Sequence, residues 1–122
     1  MSANPNVLVI GFDPHAIPGV DAALVDAAIA IGQKRFESHG IPADLCMIKP
    51  DDSADAVIVA HLTSKEYACV RSAAASASPT PDEAVTLLER VIHLGRNHAP
   101  GAAIAFNTNP TTSLGAALRW LP

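Results

Sequence analysis

The sequence predicts an α/β fold: a three-layer sandwich around a four-stranded parallel sheet. Three observations carry this. Short β-branched or apolar runs alternate with segments of helical period along the 122 residues. The first run, Asn6 to Phe12, is continuously apolar rather than alternating, as in a strand buried on both faces. The connections are short and punctuated by glycine and proline, which leaves one domain over residues 1–122 with no linker and no repeat.

The elements follow in order. Asn6 to Phe12 is strand one, ended by Gly11 and then Asp13-Pro14. From Val20 to His39, Val25, Ala28, Ile29, Gly32 and Phe36 fall on one stripe of a helix. Gly40 is its left-handed stop and Pro42 seals it. Ala43 to Lys49 is strand two. Asp52 or Ser53 then caps a short helix running to about Leu62. Tyr67 to Arg71 is strand three. Thr80, Pro81 and Glu83 form the N-cap, N1 and N3 of a capping box that opens a helix to His98. Ala102 to Asn107 is strand four, and Thr111 or Thr112 caps a last helix with Leu114, Ala117, Leu118 and Leu121 as its stripe.

Right-handed crossovers give this βαβαβαβα chain the strand order 2-1-3-4, a flavodoxin- or Rossmann-like order. One strand fewer than usual leaves strand four as an edge. This suggests either a small open sheet or a homodimer across strand four, which Ile104 and Phe106 near that edge make physically sensible.

Composition narrows the function. The apolar share is 49%, the aromatic share 4%, and the net charge −4 without long runs, so no basic patch points to nucleic acid. No stretch approaches the roughly 20 apolar residues of a membrane span. "MSANPN" lacks a basic start leading into an apolar core, so no signal peptide is expected. Cys46 and Cys69 match no zinc spacing and read as buried free thiols of a cytoplasmic protein, although a disulfide between neighbouring strands stays open.

In such sheets a ligand lies beyond the carboxyl ends of the strands, at the point where strand order reverses. Here that is between strands one and three, flanked by Gly11–Gly19 and Ser72–Pro81, with Asn107 to Pro110 as a third wall. Helix N-termini aimed at this crevice favour an anion. The expected ligand-binding residues are Gly11, Asp13, His15, Arg71, Ser72, Asn107 and Thr108, and the expected ligand is small and anionic. Arg71 either clamps it or faces water. Asp13 and His15 are the candidates for acid–base chemistry, as orienter and general base. No metal set is assigned.

The signatures of known cofactors are missing. "GFDPHAIPG" is not G-x-G-x-x-G, no P-loop lysine is present, and strand one is not followed by a Ser/Thr-rich flavin-phosphate loop. Strand three ends in Arg71-Ser72, not in the aspartate of a phosphoacceptor domain. Asp13 and His15 have the spacing of the D-x-H-x-x-G of cobalamin-binding domains, but Pro18 stands where the glycine belongs and Gly19 follows one residue late. A non-catalytic dimeric interaction module is the other reading, with cobalamin binding a minor third.

"VLVIGFDP" (7–14), residues 87–110 and "AALRWL" (116–121) resemble a group of small bacterial flavodoxin-like α/β proteins to which no activity attaches. The resemblance implies a glycine-rich "VIGGGIR"-like turn after strand three, where this chain has "VRSAAASASPTP". GC-rich codons for Gly-Gly-Gly-Ile-Arg read one frame off give the series Ser72 to Ala77, which predicts a local frame slip that removes glycines from the loop. The nucleotide sequence across codons 69 to 82 decides this: codons that yield no glycines in another frame rule it out.

Overall fold

The computed structural model describes residues 6–17, 19–49, 51–72 and 81–106, with only the backbone at 72, 81, 83, 84, 87 and 106. Its strands are β1 (Val7–Phe12), β2 (Ala43–Ile48), β3 (Cys69–Ser72) and β4 (Ala103–Phe106). Its helices are α1 (Ala22–Ser38), α2 (Ala54–Ser64) and α3 (Pro81–His98), with one 3-10 turn at Pro14–Ala16. The sheet is parallel in the order β2-β1-β3-β4, as the sequence predicts. The expected last helix, Asn107 and Thr108 lie outside the described residues, as does most of the Ser72–Ala77 series.

All six β1 residues are buried, because both faces of the strand are covered. Leu8, Ile10 and Phe12 pack with Ile58 and Leu62 of α2 and Val91 of α3. Val7 and Val9 pack with Phe36 of α1, Cys69 and Ala105. This alternation places α1 on one face and α2 with α3 on the other. It also settles the cysteines. Cys46 belongs to the α2–α3 face and Cys69 to the α1 face, on strands separated by β1, and both are free. Burial pushes each thiol up to about 11.

The stop of α1 is built as its sequence requires. Gly40 has φ +67, and its amide and that of Ile41 return to Glu37 and Phe36 in a Schellman arrangement. Gly32 and Phe36 of the predicted stripe are buried. The start of α2 differs from expectation. Ser53 holds the cap position, but its hydroxyl donates to Asp51, whose carboxylate also accepts from the Ser53 amide at 2.9 Å. A nearer acceptor has taken the side chain that would have capped the helix. Strand β3 begins two residues later than predicted, because Ala68 and Cys69 both direct their amides to Asn6 O.

Candidate functional site

The β1–α1 connection is held from both ends. Pro14 and Ile17 are buried, and Ile17 joins the core on the α2–α3 face. Asp13 caps the 3-10 turn: its Oδ1 accepts from the His15 backbone amide at 2.9 Å. A short rigid turn therefore stands at the carboxyl end of β1, with the His15 side chain 64% exposed.

Asp13 does not orient the His15 ring. Asp26, one turn inside α1, does: its Oδ2 accepts from His15 Nε2 at 2.7 Å. The hydrogen bond and the charge of Asp26 raise the imidazole above its ordinary 6.5, against a small opposing effect of burial. Nε2 thus carries a proton. Nδ1 is an acceptor in the neutral ring and a second donor in the imidazolium. The D-x-H of the cobalamin pattern is spent differently here, with Asp13 on a backbone amide and Asp26 on the ring.

Asp26 is the residue that sequence reasoning missed. It is exposed, eleven positions from His15, and sits on the polar side of α1 among residues that read as a solvated face. Only the angle at which the turn enters α1 brings the two together. Asp21, which no sequence argument singled out, accepts from the Leu24 amide at 3.2 Å. It thereby occupies the N-terminus of α1 that was expected to offer amides to an anion.

The remaining predicted residues are placed as follows. Gly11 is a buried β1 residue, paired with Met47. Arg71 neither faces water nor reaches the surface: it is 1% exposed, on the sheet between Val9 and Ala105. Burial lowers its guanidinium to about 10, so it is a cation at neutral pH. Ser72 pairs with Ile10 and Phe106 through its backbone, at the carboxyl end of β3. Asp13 and His15 are thus brought together with Asp26 at the carboxyl edge, and Arg71 lies beneath that edge rather than on it. No three His, Cys, Asp or Glu residues form a metal set among the described residues. None of the helices searched among these residues is long and apolar enough to cross a membrane.

The opposite, amino edge of the sheet carries a second polar cluster. Asp44 Oδ2 accepts from Tyr67 OH at 2.7 Å and from Lys65 Nζ at 2.9 Å. The Lys65 ammonium stands 5.9 Å from the centre of the Tyr67 ring. Beside it, a depression of about 360 Å³ is lined by Leu62, Lys65, Tyr67, His98 and Pro100. The two donors hold the Asp44 carboxyl below its usual range, and burial with the Asp44 bond pushes Tyr67 up to about 12.

Comparison with family models and with curated proteins returns no match. The functional reading therefore rests on the fold and on these two clusters.

Proposed function

We propose that this α/β domain binds a small anionic ligand at the carboxyl edge of β1 and β3, and that His15 is the side chain that meets it. The observation that carries the reading is the His15–Asp26 pair, 2.7 Å apart on the loop after β1. Asp26 fixes the tautomer and favours the imidazolium, whose Nδ1–H then remains for an acidic group of the ligand. Asp13 fixes the turn on which the ring stands. Arg71 lies buried beneath the same edge. The position agrees with where parallel sheets of this order place their ligands.

The same pair could serve acid–base chemistry on a bound substrate, with Asp26 rather than Asp13 as the orienting carboxylate. A dimeric interaction module without chemistry draws support from a different observation. Leu24, Ile31 and Val85 are large apolar residues 69%, 47% and 54% exposed on α1 and α3.

Native mass spectrometry of the purified chain, repeated after denaturation, tests the ligand reading. A small acidic molecule retained by the folded wild type, lost on denaturing and absent from His15→Ala is the expected result. Retention of the same molecule by His15→Ala contradicts the assigned role.

A further inference from the structure

The two outer strands of the sheet are finished differently. In β2, the Val7 amide bonds Pro42 O and the Asp13 amide bonds Ile48 O, so the even-numbered residues face β1. Ala43, Leu45 and Met47 turn their backbone groups outward, and Gln33 Nε2 closes part of that edge by donating to Ala43 O at 3.0 Å. Asp44, with Lys65 on it, adds charge at the same end. These are devices that discourage strand addition.

Among the described residues the β4 edge has none of them. The Ala103 amide bonds Ala68 O at 3.0 Å, so the odd-numbered residues face β3 and Ile104 and Phe106 direct their amides and carbonyls outward. Among the described residues, no side chain closes this edge. The helix above it continues the same surface. Arg90 of α3 reaches Asp55 of α2 at 3.5 Å, which fixes the flank of α3 that faces α2. By helical period the opposite flank, on the side of α3 away from α2, carries Val85, Glu89, Ile92 and Arg96. Val85 is 54% exposed, and Ile92 is half-buried but belongs to neither core cluster.

We propose that a second copy of this chain docks on this side, β4 against β4 and α3 against α3, about a two-fold axis. The axis passes near Ala105, which sets Ile104 opposite Phe106 of the other copy and continues the sheet antiparallel across the interface. The register of α3 follows from one contact. Gly95 sits over Ile104, close enough that a Cβ there would meet its Cδ1 at 3.3 Å. Moving from Ile104 to Ala105 shifts the level on the antiparallel helix back by about two residues, to His93. A two-fold axis at that level faces Ile92 with its own copy and Glu89 with Arg96 of the other copy, twice. Both charges are exposed on the flank that this packing covers. The surface is therefore self-complementary in backbone, apolar contact and charge, as an isologous interface requires. This goes beyond the ligand reading and does not depend on it.

Sedimentation equilibrium of the full chain, with far-ultraviolet circular dichroism as the control for folding, tests the proposal. The wild type is expected to dimerise. Glu89→Arg or Arg96→Glu alone turns two symmetry-related attractions into repulsions and should weaken the dimer by about tenfold or more. The double exchange, Glu89→Arg with Arg96→Glu, should restore it to within about threefold of wild type, because both pairs are then rebuilt with their signs reversed. A wild type that stays monomeric overturns the proposal. So does a dimer that neither single exchange weakens, or one that the double exchange fails to restore.

Discussion

At the amino edge of the sheet one carboxylate, Asp44, is closed upon by two donors, whereas at the carboxyl edge Asp26 holds a single imidazole that stands in the open. The first cluster ties the start of β2 to the segment between α2 and β3. Its polar atoms answer one another, and the Tyr67 residue is buried. The second ties a loop to the helix that follows it and leaves one ring nitrogen unspent. A carboxylate with every neighbour committed is a brace; an imidazole with a fixed tautomer and a spare nitrogen is the place we propose for a ligand. The depression at the amino edge is lined by Lys65 and Tyr67, whose polar groups are already engaged with Asp44.

Breaking the brace should have the largest effect. Asp44→Ala removes the acceptor of a part-buried hydroxyl and the partner of Lys65, and is expected to destabilise the fold by about 1–3 kcal/mol in urea denaturation. Tyr67→Phe keeps the ring and deletes one hydrogen bond, for about 1 kcal/mol. Because Tyr67 is the single tyrosine of the chain, its ultraviolet titration is unambiguous and should fall near 12 rather than 10. A midpoint near 10 would mean that Tyr67 is neither buried nor bonded to Asp44 in solution.

Breaking the carboxyl-edge pair should hardly move stability. Asp26→Asn is expected to leave the urea-denaturation midpoint almost unchanged, since both side chains are largely solvated. The same change should bring the His15 titration down towards 6.5, which proton NMR of the imidazoles reads directly. The two clusters then part on pH. The lowered Asp44 carboxyl contributes stability above its unfolded value of 3.8 and loses it as pH falls through the folded value. The raised His15 contributes below 6.5 and loses its contribution as pH rises through its folded value. Acid should therefore loosen the amino edge, and alkali the clasp at the carboxyl edge.

The strands and the stops were readable because each rests on local chemistry. The unbroken run of β1 announces burial on both faces, and Gly40 takes a left-handed backbone that other residues adopt only at a cost. The carboxyl edge proposed for the site was readable too, from strand order alone. Its partners were not. Asp26 looks like any helix-surface acid until the angle between turn and α1 is known. Arg71 ends a predicted strand, where a charge ordinarily reaches water, yet the sheet continues past it on both sides. At Ser53 the local rule was correct but a second local rule, the pull of Asp51, prevailed. Contacts set by tertiary geometry, or by competition between neighbours, leave no period in the sequence.

The most direct test of the ligand reading is imidazole NMR of the full chain during a titration with inorganic phosphate near neutral pH. The account predicts a saturable shift of the His15 resonances and a further rise of its pKa, both weakened in Asp26→Asn, while His39, His61, His93 and His98 stay in place. Phosphate that leaves His15 unmoved, or moves all the histidines alike, would contradict it.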